Sequence, residues 1–204
     1  MLVKGTKEGR LDPRVKRTRE LLVRAFNELV EEKGHSGLTV QEIAERATIN
    51  RATFYAHFKD QYELFDYAIS EAFRGELRRR LPASPELSEE NLEVLFLAVC
   101  DYLTRLNTAC AWSDRQFRPL IEARVQSELY ELLLGWVEAL PPKMDGRPAP
   151  PEVVASVVSW AIFGAGLQWS RNGASHSAEE IAGQVLSVIV EGLNGSVLLP
   201  ARIS

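Results

Sequence analysis

From Leu22 to Leu193, apolar residues recur three and four positions apart, and nowhere do they alternate with polar ones over any length. A period near 3.6 gathers such residues on one face of a helix, whereas a half-buried strand needs a period of two. The chain is therefore expected to be all-α. No internal repeat accompanies the pattern, which argues against a stacked solenoid. With 204 residues and 46% apolar content, it can bury one large core, or a small one beside a larger one.

The helix boundaries are legible from their caps. Residues 1–12 are polar, contain Gly5 and Gly9, and are expected to form a flexible arm. Pro13 suits a first helical turn and Gly34 a stop, with Leu22, Ala25, Phe26, Leu29 and Val30 inward between them. Thr39 and Glu42 form a capping box ahead of Ile43 and Ala44, and Asp60 with Glu63 forms another. The second box opens a longer helix with the stripe Leu64, Phe65, Ala68, Ile69, Ala72, Phe73 and Leu77, and Pro82 to Pro85 reads as a linker. Ser88 can cap a helix buried through Leu92, Leu95, Phe96, Val99, Leu103 and Leu106. Pro119 can open the next, with Ile121, Val125, Leu129, Leu132, Leu133, Trp136 and Leu140 inward. The proline-rich stretch 141–151 reads as an exposed loop, followed by a helix over about Glu152 to Asn172 closed by Gly173. Ser177 and Glu180 cap a last helix that carries Ile181, Val185, Val188, Ile189 and Leu193 and ends near Gly195.

Within this frame the stretch Leu38 to Phe65 carries the chemistry. It reads as two short helices joined at Thr48-Ile49, the second running from Asn50 to His57. A helix of that width enters the major groove of DNA while the preceding helix braces against the backbone. Such a pair needs small residues where the helices touch, supplied by Ala44 and Ala47, and apolar anchors, supplied by Ile49 and Phe54. Thr39 can hold a phosphate at the start of the bracing helix, and Gln41 can reach a phosphate or a base edge. Asn50, Arg51 and Thr53 are placed for the groove, Arg51 for bidentate contact to guanine and Thr53 for a thymine methyl. Tyr55, His57 and Lys59 suit backbone contacts; Tyr55 also suits the core, and Phe58 reads as core alone. The run Arg14 to Arg19 serves either as a backbone contact or as a solvated helix face.

Residues 14–66 resemble the DNA-binding domain of the TetR family of bacterial repressors. The resemblance lies in the long first helix ending at Gly34, the Leu38-Thr39-Val40 entry and Ile43-Ala44. It continues through Thr53-Phe54-Tyr55, His57-Phe58 and the helix beginning near Gln61. Two positions depart from the family: Thr48 stands where glycine is usual in the turn, and Gln61 stands where lysine is usual. The resemblance implies an all-helical homodimer with an N-terminal three-helix helix-turn-helix domain over residues 1–62. A helical ligand-binding and dimerisation domain would follow over 63–204, with repression relieved by a small-molecule effector. Double-stranded operator DNA is then the principal partner.

In the C-terminal part, the small residues Ala161, Gly164 and Ala165 beside Trp160, with Val185 and Ile189 on the last helix, are expected to form the dimer interface. Phe96, Tyr102, Trp112, Phe117, Tyr130, Trp136 and Trp169 are candidates to line a ligand pocket, with Asn107, Arg115 and Arg118 as polar groups near them.

Residues 1–60 carry a net charge of +3 and the remainder −7, a basic front on an acidic body that suits meeting a polyanion with one end. Cys100 and Cys110 are too few for a disulfide framework and read as free thiols, and no secretory signal is seen at the start, which fits the cytoplasm. The uncharged stretch Val153 to Ser170 reads as a buried helix or subunit interface rather than a membrane span. His35, His57 and His176 have no metal-ligand spacing, no phosphate loop or nucleophile elbow is present, and neither a catalytic residue nor a cofactor is expected. The competing reading is a sensing or interaction protein that kept the fold but lost DNA binding, which Thr48 and Gln61 would favour.

Overall fold

The structure, a computed structural model, describes residues 12–35, 37–109, 117–140, 149–172 and 176–196, apart from the side chains of 107–109 and 194–196. Trp112, Arg115, Gly173, most of the proline-rich loop and most of the expected arm lie outside the described residues. Among those described there are eight helices and no strand. They are α1 (Pro13–Lys33), α2 (Val40–Arg46), α3 (Arg51–His57), α4 (Gln61–Arg80), α5 (Glu89–Ala109), α6 (Arg118–Glu138), α7 (Pro151–Arg171) and α8 (Ala178–Ser196). The chain divides into two compact units, one ending at Ala68 and including Phe117, the other taking the rest. The division therefore falls inside α4, whereas the sequence-based boundary lies near its first residues.

The first unit is built on α1. Asp12 caps it by accepting from the Arg14 amide at 2.8 Å, and Gly34, at φ 77°, ends it by donating to the Val30 carbonyl. Leu22, Phe26 and Leu29 of α1 share a core with Leu38, Ile43, Ala44, Phe54, Phe58, Leu64 and Phe65. Phe65 meets Phe26 edge-on at 6.0 Å, and Phe117 packs against both Phe65 (5.4 Å) and His35 (5.2 Å). Two ion pairs tie α1 to α2: Lys33 to Glu42, and Arg46 to Glu32 with Glu28 nearby.

In the second unit, α7 packs against α5, α6 and α8, and α8 also meets α5. A Cβ at Gly166 would stand 3.0 Å from Cγ1 of Val99, so the missing side chain is what lets α7 lie so close to α5. On length and composition alone α7 could cross a membrane. Its Val154, Ala155, Val158, Ile162 and Phe163 are instead buried in this bundle.

Two expectations are corrected here. Ala72 is exposed: the inward face of α4 in this unit is Ile69, Phe73, Glu76 and Leu77, and a single methyl group has little to gain from either side. Val188 is 73% exposed, because the inward stripe of α8 is Ala182, Leu186, Ile189 and Leu193, from which position 188 is rotated away. Two buried carboxylates went unanticipated. Glu128 on α6 accepts from Ser70 (2.6 Å) and Arg74 (2.5 Å) and pairs with Arg124. Glu76 on α4 is held by Arg79, Arg80 and Arg105. Burial by itself would neutralise such a group; at Glu76 the guanidinium contacts outweigh it, and the carboxyl pKa lies below its ordinary value.

Candidate nucleic-acid interface

α2, the turn after it and α3 form a helix-turn-helix whose geometry follows from its local hydrogen bonds. Thr39 and Glu42 make the reciprocal capping box: the Thr39 hydroxyl accepts from the Glu42 amide, and Glu42 accepts from the Thr39 amide at 2.9 Å. The hydroxyl also donates to Glu42 at 2.8 Å, so Thr39 is occupied in shaping the helix entry. With Lys33 donating to the same carboxylate, the Glu42 pKa falls to about 2 from its ordinary 4.5, the Lys33 contact being the largest cause and the two from Thr39 following.

α2 ends in a Schellman motif. The Ile49 amide donates to the Ala44 carbonyl (2.8 Å) and the Thr48 amide to the Glu45 carbonyl (3.0 Å). The motif needs a left-handed residue at position 48, and Thr48 holds φ 57°. It is the one non-glycine residue at positive φ among those described. The departure seen in the sequence therefore leaves the turn intact and puts its strain on a β-branched residue.

Asn50 caps α3 through a 2.8 Å bond from the Ala52 amide, so the helix proper starts one residue after the expected position. Phe54 is wholly buried and Phe58 nearly so, which anchors the inner face. Asn50, Arg51, Thr53, Tyr55 and Lys59 are exposed on the other side, and His57 is half-buried. Tyr55 rests edge-on against Phe54 at 5.6 Å with half its surface open. Gln41 is exposed but its amide donates to Glu45 at 2.9 Å, so reaching DNA requires it to leave that partner.

Around this core, sequence reasoning missed three positions. Arg19, from the basic run on α1, lies over the rings of Phe58 (5.3 Å) and Tyr67 (5.1 Å) and so braces the end of α3. Arg14, Lys16 and Arg17 of the same run remain exposed. Arg46 grips Glu32 with two 2.7 Å bonds, fixing α2 on α1. Tyr62 is 55% exposed in the first turn of α4, where Asp60 accepts from the Tyr62 and Glu63 amides and Glu63 from the Lys59 amide. A large aromatic beside a capping box, off the helix's inward stripe, was the available signal for Tyr62.

The pocket candidates do not form one group. Phe96 and Trp136 are buried in the core, Tyr102 and Tyr130 are half-buried, and Trp112 lies outside the described residues. Tyr102 meets Phe73 edge-on at 5.2 Å. Phe117 belongs to the first unit, where it serves as a packing residue. Arg118 pairs with Glu122 on its own helix. Trp169 lines a surface cleft of about 300 Å³ between α7 and α8, together with Ala165, Gln168, Asn172, His176, Ile181 and Val185. Its indole donates to the His176 carbonyl at 3.0 Å, which closes the connection between the two helices. Of the expected interface residues, Trp160 is 57% exposed, Gly164 is open, and Ala161, Ala165 and Val185 are half-buried. Ile189 is buried in the unit's own core, and Val188 beside it is exposed.

Comparison with known proteins follows this two-part division. Residues 22–68 match the model of bacterial regulatory proteins of the tetR family. Residues 90–191, half of the chain, match that of a transcriptional regulator C-terminal region. The chain is 42% identical over 64 residues to the HTH-type transcriptional regulator YxbF of Bacillus subtilis, a match covering 31% of this chain and 17% of that protein. It is 26% identical over 124 residues to the HTH-type transcriptional repressor DhaR of a Mycobacterium species, covering 59% of this chain and 62% of the other. The matched part is thus less than two thirds of either relative's own length. A transcriptional regulator from Pseudomonas aeruginosa PAO1 shares the fold at TM-score 0.55 and 20% identity, over 91% of this chain and 93% of that one. With both of its parts matched and a helix-turn-helix formed by α2 and α3, the chain belongs to the TetR family of transcriptional regulators.

Proposed function

We propose that this regulator is a homodimeric repressor in the cytoplasm that reads a palindromic operator with α3 and releases it when a small effector binds the helical body. The observation that carries DNA reading is the two-sidedness of α3: Phe54 has no exposed surface, while Arg51, Thr53 and Tyr55 stand open on the other side. Arg51 makes no ion pair or side-chain hydrogen bond among the described residues, so its guanidinium is available for the O6 and N7 of a guanine. Exposed Lys59, Arg14, Lys16 and Arg17 supply cations for phosphates. The two-fold symmetry of a dimer would set half-sites about one helical turn apart, or slightly more. The repressor sense draws on the likeness to DhaR, which is itself a repressor. No catalytic role is assigned.

The test is a gel-shift with the DNA upstream of the protein's own gene. Arg51→Ala should weaken specific binding by roughly 1–3 kcal/mol and leave the oligomeric state unchanged. Unaltered operator affinity in that variant would refute the groove assignment. An absence of any specific binding by the parent chain would favour a sensing protein that has given up DNA.

A further inference from the structure

Arg19 is the exception among the half-buried arginines. Arg74, Arg80, Arg118 and Arg124 are half-buried too, and each pairs with a carboxylate. The side chain of Arg19 makes no ion pair or hydrogen bond among the described residues, and its Nε is buried without a partner. The acids on its own turn of α1 and at the head of α4 are committed elsewhere. Glu20 pairs with Lys16, Asp60 accepts from the Tyr62 and Glu63 amides, and Glu63 accepts from the Lys59 amide. Arg19 has two rings instead. Its Cζ lies 5.3 Å from the centre of Phe58 and 5.1 Å from that of Tyr67, in the notch between rings 5.5 Å apart and tilted by 55°. Ring faces offset part of the cost of desolvating a cation, but they are poor acceptors for its N–H groups. A guanidinium held in this way still lacks an anion.

We propose that Arg19 receives a phosphate of the DNA backbone at the end of α3, beside Lys59. The inference rests on the DNA reading above and adds a contact from α1 that is held in place before DNA arrives. Phe58 is the C-cap of α3 and Lys59 follows it, so the ring under Arg19 ties this cation to the turn that leaves the recognition helix. The backbone amides of residues 59, 62 and 63 cannot serve a phosphate there, because Asp60 and Glu63 already occupy them. Side-chain cations must do so, and these two come from different elements. Arg14, Lys16 and Arg17 are exposed and have to be ordered on binding, whereas Phe58 and Tyr67 have already ordered Arg19, so it loses less freedom. Its fork of N–H groups matches two oxygens of one phosphate. A brace alone has no need of the charge, since a neutral side chain of similar length packs on both rings without desolvating a cation.

Salt dependence separates a phosphate contact from a brace. Arg19→Met keeps the packing on the two rings and discards the charge. With the DNA upstream of the protein's own gene, it should weaken binding to every sequence alike and lower the slope of log affinity against log salt by about one per copy. Its urea midpoint without DNA should not fall. Arg19→Lys should keep the slope, because an ammonium also displaces a counterion. Unchanged affinity in Arg19→Met, or weaker binding at the parent slope, would leave Arg19 a brace and overturn the contact. Arg19→Gln repeats the test if the methionine variant does not fold. Inorganic phosphate should displace DNA from the wild-type chain no better than chloride at equal ionic strength. A phosphate effect that Arg19→Met abolishes would assign the site to the free ion and overturn the DNA contact. A parent chain that binds no DNA overturns the DNA reading and this contact with it.

Discussion

Thr48 holds a conformation that L residues avoid and β-branched ones avoid most, because the hydrogen bonds donated by its own amide and by that of Ile49 require it. Glycine reaches φ 57° without that penalty, though its freer unfolded chain offsets part of the gain. Thr48→Gly should therefore raise stability by about 1 kcal/mol, seen as a higher urea midpoint with unchanged slope. Glu42 gives a pH signature. Its folded pKa of about 2 lies below the ordinary 4.5, so its contribution is complete above pH 4.5 and lost as pH falls toward 2. Glu42→Gln should flatten the decline in urea midpoint over that window; an equally steep decline would show that other groups cause it. Cys100 is buried, and burial together with Asp101 and Glu179 pushes its thiol pKa up to about 12. In a Cys110→Ser background the native protein should resist a thiol reagent at pH 8 and react fully in urea.

At the level of elements, the contact between α5 and α7 depends on Gly166. A methyl group there meets Val99 at 3.0 Å and the Cys100 sulfur at 3.6 Å. Gly166→Val overfills the contact and should cost about 1–3 kcal/mol, lowering the thermal midpoint. Gly164, one turn-face away with open space around it, should accept alanine with little change in the fold. The short helices α2 and α3 have seven residues each, too few to stand alone. Their stability comes from caps at Thr39 and Asn50, from the ion pairs of Arg46 and Glu42, and from Phe54 in the core.

For the whole molecule, a basic DNA-binding end on an acidic body predicts strong salt dependence, because binding releases counterions from the phosphates. Lys59→Ala should lower the slope of log affinity against log salt by about one per copy while leaving base preference unchanged. Arg51→Ala should do the opposite, relaxing base preference more than it alters the slope. A Lys59 variant with an unchanged slope would remove that side chain from the phosphate set.

The all-helical class, the cap positions and the two-sided recognition helix were legible in the residues, since periodicity and capping are local and depend on neighbours three and four positions away. Thr48 was legible too, as a residue in the wrong chemical class for its turn. Long-range packing decided the rest. Ala72 and Val188 faced outward because the inward stripe depends on which neighbouring helix is met, and periodicity alone leaves that rotation open. Phe117 joined the first unit, Arg19 lay on Phe58 and Tyr67, and Glu128 found two arginines and a serine on other turns and helices. Apart from the Arg124–Glu128 pair, which spans one turn of α6, those contacts join residues far apart in the chain, and only the folded structure determines which distant side chains meet.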